Sequence, residues 1–506
     1  MNTHYDKAVV ASGHRLVSEA GAEILAAGGN AFDAVVAAGL ASTVVEQTLT
    51  SLGGGGFLLG YDGAQNRSLC FDFFVDTPGR GSSEAGGSPH FFPVTVHFTG
   101  APQVFNIGLG AVAVPGVAKG LLHIHRRLGR MPLGEVAAPA IDYARGHELN
   151  RFQASFLRLL HPIVTQTETG RRLYGCRETF VGEGDRLENH ELAVFLEMLV
   201  EEGAESFYRG DIAAAMVKEM KENGGLLTAE DLEKYRVIER KPLEVKHRNS
   251  IFHTCPPPSM GGSLIALSLE LYAACTTPGF DWGSREHLLQ TVTIMQEVER
   301  LRRCGILSPE HLQSHDADEV AASLASVRLF SRGTTHISIA DKEGSCAAMT
   351  CSNGEGCGWY APGTGVMLNN MMGEDDLHPE GFHTGPAGQR VGSMMAPSML
   401  MDEDGVKLVL GSGGSKRIRT AITQVLSQVL DFDRGLQQAV VAPRLYWDGD
   451  RLQVEPGFDS TTLQSMGIEL NVWQAADVYF GGVHAVIPGS EGAGDPRRGG
   501  YVVEVK

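Results

Sequence analysis

What the chain lacks narrows its chemistry first. It has no run of basic residues and no aromatic stacking platform. Its 60 acidic residues against 42 basic ones leave a formal net charge of −18. A field of that sign repels nucleic acid and anionic membrane surfaces, so neither is expected as a partner. No apolar stretch reaches the ~18 residues of a membrane-span candidate. The start, MNTHYDKAVV, has no basic segment followed by an apolar one, and a cytoplasmic location is expected. The 8 cysteines are scattered, and no Cys-x-x-Cys occurs. Cys346, Cys351 and Cys357 are the closest trio, whereas zinc favours tighter pairs with histidine support. They read as buried or free thiols. None of the 18 histidines belongs to a His-Glu-x-x-His, and His123 and His125 beside Arg126 and Arg127 read as a solvated helix face. No metal or other cofactor is expected.

What is present is ordinary for a globular protein: 43% hydrophobic and 20% charged residues over 506 positions. KAVVAS reads as a strand. A helix is expected from Ser18, stopped by Gly28-Gly29. Asn30 then caps an apolar helix, AFDAVVAAGLAS, with Asp33 in the reciprocal capping position. The run Leu52-Gly53-Gly54-Gly55-Gly56-Phe57 lacks the Gly-Lys-Ser/Thr ending of a phosphate loop, so it predicts a close backbone approach before a strand, FLLGYDG. Residues 80 to 105 read as an irregular loop. Helical patterns dominate from about 115 to 235, and Thr228 with Asp231 marks one helix start. PPPSMGG predicts a rigid turn feeding a helix from Ser263 to Ala274. Beyond 334 the chain is strand-rich, with a last helix near Thr420 to Phe432. No repeat or flexible linker divides it, so one intertwined α/β domain is expected.

Gly333-Thr334-Thr335-His336 opens a hairpin. THISIA alternates with period two, Asp341-Lys342-Glu343-Gly344 has turn composition, and SCAAMTCS returns. Pairing Ala340 with Ser345 places Thr334 opposite Cys351, with Thr350 and Ser352 alongside. An internal threonine hydroxyl needs a base. Cutting the Gly333-Thr334 bond would supply one, because a free α-amine titrates near 7.7–8.0 and can take the hydroxyl proton. Gly333 would tolerate a strained backbone there. Gly411-Ser412-Gly413-Gly414-Ser415, after the apolar VKLVL, could turn backbone N–H groups towards a developing oxyanion.

These segments, in order along nearly the whole chain, resemble the γ-glutamyltranspeptidase family of N-terminal-nucleophile hydrolases. The resemblance runs through VSEAGAEILAAGGNAFDAVVAAGLA, LGGGGF, Ser206-Phe207-Tyr208-Arg209-Gly210, NGGLLT, PPPSMGGS, GTTH, Leu368-Asn369-Asn370-Met371-Met372, GSGGS and Ala442-Pro443-Arg444. It implies an αββα sandwich from a precursor that cuts itself. The large segment would be residues 1–333 and the small segment 334–506, staying together. Thr334 would attack an amide carbonyl and pass the acyl group to water or an amine, Ser352 would bond the nucleophile, and Gly413 and Gly414 would form the oxyanion hole.

The head site departs from the pattern. Phe74 stands where the family has a carboxylate-binding arginine, and Arg80 is the nearby candidate replacement. The family's serine pair is Ser393-Met394 here, and its glutamine is Met371. The acid that reads an α-amine is matched by Glu374, or by Asp375 with a one-residue slip. The family's asparagine aligns with Gly354, or with Asn353 after a shift. The expected partner is a small-molecule amide, and a homo-oligomer stays open. The alternatives are an acylase acting on a non-glutamyl amide and a binding protein that keeps the fold without catalysis.

Overall fold

In the computed structural model, residues 4–82, 88–97, 102–176, 178–275, 279–304, 333–378 and 381–506 are described. Two antiparallel sheets lie face to face. The first has seven strands in the order Tyr501–Val505, Ala8–Ser12, Thr335–Ala340, Cys346–Ser352, Gly55–Asp62, Arg67–Phe73 and Ile238–Arg240. The second has six: Glu491–Ala493, Gly482–Ile487, Gly405–Gly413, Ser398–Asp402, Ser250–Thr254 and Leu243–His247. A shared apolar core fills the gap between them, with Val9, Phe57 and Leu59 of the first sheet against Phe252, Met399 and Leu410 of the second. Helices Arg15–Ala26, Ala31–Val45 and Val117–Leu128 cover the outer face of the first sheet. Helices Met260–Cys275 and Arg417–Leu430 cover the second. This is the expected αββα sandwich. The central strand Thr335–Ala340 sits between Ala8–Ser12 and Cys346–Ser352, so segments from both ends of the chain interleave in one sheet.

Local signals account for several of these elements. Asn30 and Asp33 form a reciprocal capping box, as do Thr228 and Asp231. The helix after Asn30 is buried along its whole length, as its all-round apolar pattern requires.

Four expectations shift. The first helix starts at Arg15 rather than Ser18, because the His14 ring accepts from Leu16 N and acts as the cap. The helix after PPPSMGG begins at Met260, where Met260 N reaches Ser393 O at 2.7 Å. The last long helix runs Arg417–Leu430. Part of the stretch expected as irregular forms a hairpin, Phe92–His97 against Pro102–Ile107. Val94 and Val96 alternate there with Thr95 and His97, a short period-two signal hidden among Gly, Ser and Pro. Residues 83–87 and 98–101 of that stretch lie outside the described residues.

No helix among the described residues is long and apolar enough to cross a membrane. Cys346, Cys351 and Cys357 are free, buried thiols. His123 contacts Glu239 and His125 contacts Met131 O, so the two rings do not share a site.

Candidate active site

The threonine hairpin pairs one residue out of the expected register. Ala340 lies opposite Cys346 and Thr335 opposite Cys351. The cause is the turn, where Asp341 N bonds Ser345 O and Ser345 N bonds the Asp341 carboxylate, leaving Ser345 inside the loop. Gly344 takes a φ of 84°, which closes the turn. The shift brings Ser352, rather than Cys351, beside the Gly333–Thr334 bond.

Strand alternation then separates the two threonines. Ile337 and Ile339 face the helix layer, and Thr335 follows them, its Oγ1 donating to Glu46 Oε2 at 2.9 Å. His336 and Ser338 face the gap between the sheets, where Ser338 Oγ bonds His484 O and His336 lies against Gly411. Thr334 falls on this second side and lines a cleft with Ser352, Glu374, Ser393 and Ser415.

The peptide before Thr334 is held on both sides. Ser352 Oγ donates to Gly333 O at 2.6 Å and accepts from Gly354 N at 3.0 Å, which aims its proton at the carbonyl. Gly333 N donates to Glu355 Oε1 at 3.0 Å. Gly333 is required by crowding rather than by φ: a Cβ there would lie 2.4 Å from Gly354 O and 2.7 Å from Thr48 O. The glycine run 53–56 supports the same geometry. A Cβ on Gly54 would sit 2.3 Å from Ser352 O, so only a bare backbone lets the Ser352 strand approach.

Gly413 abuts Thr334. A Cβ on it would come 2.3 Å from Thr334 O, and Gly414 follows at φ 119°. Arg498 Nη1 donates to Thr334 O at 3.3 Å, and burial lowers this guanidinium's pKa to about 10. Glu46, beneath Thr335, is pushed up to about 7 by burial, against the opposing pull of the Thr335 hydrogen bond and Arg498. His336 is fully buried between Thr350 Oγ1 at 2.8 Å and Ser338 Oγ at 2.9 Å. Burial, reinforced by nearby His484, pushes its pKa well below the ordinary value. It is therefore neutral and engaged on both nitrogens.

Of the recognition residues expected from sequence, Glu374 and Ser393 line the cleft, while Asp375 is exposed and outside it. Gly354 leaves room for the acid, since a Cβ there would sit 2.6 Å from Glu374 Oε1 and 2.0 Å from Asn370 Oδ1. Asn353 is buried elsewhere, reaching Leu368 O. Arg80 is not brought to the cleft: its Nη2 donates to Gly388 O at 2.7 Å, and it lies 3.9 Å from Asp76 and 4.0 Å from Asp231. Sequence reasoning missed Glu46, Glu355 and Arg498. Glu355 lay close by in the chain, but nothing in its pattern marked it. Among the described residues, no group of three or more His, Cys, Asp or Glu side chains could hold a metal ion.

A family profile described as gamma-glutamyltranspeptidase matches residues 17–505. The chain belongs to the γ-glutamyltranspeptidase family. It is 29% identical to the glutathione hydrolase proenzyme of Escherichia coli (strain K12), over 97% of this chain and 90% of that protein. It is 30% identical to an acylase ACY 1 proenzyme of Pseudomonas sp. (strain V22), over 91% of this chain and 86% of the relative. In three dimensions it matches a cephalosporin acylase from Bacillus halodurans with a TM-score of 0.81, covering 99% of this chain and 96% of that one. At 22% identity that match speaks for the fold. This γ-glutamyltranspeptidase-family chain is an enzyme, an amidohydrolase of the N-terminal-nucleophile class.

Proposed function

We propose that the precursor cuts itself between Gly333 and Thr334, and that the freed Thr334 carries an acyl group taken from a small amide. One contact carries the reading: Ser352 Oγ donates to the carbonyl that would be attacked, 2.6 Å from Gly333 O, while Thr334 follows directly in the chain. In processing, Thr334 Oγ adds to the Gly333 carbonyl carbon. The C–N bond breaks, leaving Gly333 esterified to Thr334 Oγ and the Thr334 nitrogen as a free amine. Water then cleaves the ester, giving a Gly333 carboxylate and a free hydroxyl. Ser352 stabilises the oxyanion in the first step.

In turnover the base is the new α-amine. The neighbouring imidazole of His336 is held by two hydroxyls and is a poor alternative. Thr334 Oγ attacks the substrate carbonyl, the amine departs, and water or a second amine releases the acyl group. Gly413 and Gly414 are proposed to face the developing negative charge, a role supported by the close approach of Gly413 to Thr334. The two fragments, 1–333 and 334–506, remain together because their strands alternate in one sheet. Relatives named as glutathione hydrolase and as acylase both fit this chemistry. The test is N-terminal sequencing of purified protein. Two fragments are expected, the smaller starting at Thr334, and Thr334→Ala should leave one chain with turnover lowered by about 10⁴-fold or more. A wild-type chain that stays whole while folded would refute the reading.

A further inference from the structure

The cleft beside Thr334 is narrow and open to solvent, with a free volume of about 30 Å³. Its apolar walls are Phe74, Met371, Leu377, Met394, Met395 and Ile418. Among the described residues, Glu374 is the ionisable side chain that lines it, and no Arg, Lys or His does. Phe74 is locked in place. It is buried, stacks on Phe57 with ring centroids 5.6 Å apart, and its carbonyl accepts from Tyr235 OH at 2.7 Å.

Among the described residues, the arginines near Phe74 are committed elsewhere. Asp72 is fully buried and takes Arg240 at 2.7 Å and Arg390 at 2.8 Å. Arg390 also reaches Asp76 at 2.7 Å and Arg236 O at 2.7 Å. Arg80 is tied to Gly388 O. The backbone that carries Met394 and Met395 is held from behind, because a Cβ on Gly261 would meet Met394 O and Ser259 Oγ bonds Met395 O at 2.6 Å. The apolar wall is thus a built surface, and Arg80, Arg240 and Arg390 are held away from it.

We propose that the acyl group Thr334 accepts is an uncharged, largely apolar chain, and not one that ends in a carboxylate. This rests on Thr334 being the nucleophile. A carboxylate in this cleft would lose its water and meet no cation among the described lining residues. An aliphatic chain loses nothing polar and gains the methionine and phenylalanine surfaces.

The test compares three p-nitroanilides of matched chain length on the processed wild-type enzyme: pentanoyl, glutaryl and γ-glutamyl. The kcat/KM for the pentanoyl compound should exceed that for the glutaryl compound by about 100-fold or more. Phe74→Arg should narrow that gap. Because an arginine at this buried stack could impair folding, Met394→Ser serves as the second variant. It leaves the Phe57 stack intact and should lower pentanoyl turnover while sparing self-cleavage. Equal or better turnover of glutaryl or γ-glutamyl compounds overturns the proposal. So does a cut enzyme with Thr334 free that turns over none of the three. An uncut wild-type chain instead refutes the assignment of the nucleophile.

Discussion

The two ends of the cleft are built on different terms. At the end proposed to react, Gly333, Thr334, Ser352 and Gly413 are backbone or hydroxyl groups held by close contacts between strands, and a Cβ on either glycine would clash with a backbone oxygen. At the far end the wall consists of the side chains of Phe74, Met371 and Met394, of which Phe74 is stacked on Phe57. Specificity can therefore change at one end while the chemistry proposed at the other is kept. On this proposal, chemistry depends on close backbone approach, whereas recognition depends on side-chain surface.

That contrast breaks if changes at either end have the same consequences. The largest effect is expected from Ser352→Ala. Loss of the donor to Gly333 O should slow self-cleavage by about 10²–10³-fold, followed as precursor decay on a denaturing gel, with Ser352→Thr retaining most of the rate. Glu46 comes next, beneath the reacting end. Its folded pKa near 7 lies above the ordinary 4.5, so the folded state holds a proton that the unfolded chain has released between those values. Stability on this account is fully present below pH 4.5 and declines as pH rises towards 7, by about 3 kcal/mol. Denaturant titrations of Glu46→Gln should lose that slope, whereas an unchanged slope would place the proton elsewhere.

A smaller effect is expected at the far end. Met394→Ala should reduce kcat/KM for an apolar acyl amide by about tenfold, with cleavage at Gly333–Thr334 unchanged. If Met394→Ala stopped processing, the two ends would not be separable. The pH profile sharpens the same division. Turnover should rise through about pH 8 as the Thr334 amine loses its proton, a limb that self-cleavage, which precedes that amine, should not share.

Much of the scaffold was legible in the sequence because its signals are local. The capping boxes at Asn30 and Thr228, the period-two run of THISIA and the glycine run before Phe57 each state their own geometry. The hairpin register was not, since one residue absorbed into the Asp341–Ser345 turn moves every pairing. The groups proposed to react sit in short motifs that the sequence shows, whereas the residues that support them do not. Glu46 meets Thr335 from 289 residues away, and nothing in either segment announces the other. Arg80 illustrates the converse: proximity in sequence to Phe74 suggested a replacement cation, but Gly388, Asp76 and Asp231 hold it away from the cleft.

The most direct test of Thr334 as the acyl carrier is intact-mass analysis of the enzyme, acid-quenched during turnover of a slowly released acyl amide. The fragment starting at Thr334 should gain the mass of one acyl group, and peptide mapping should place it on Thr334. Active enzyme whose small fragment never gains that mass, or gains it at another residue, would contradict the assignment.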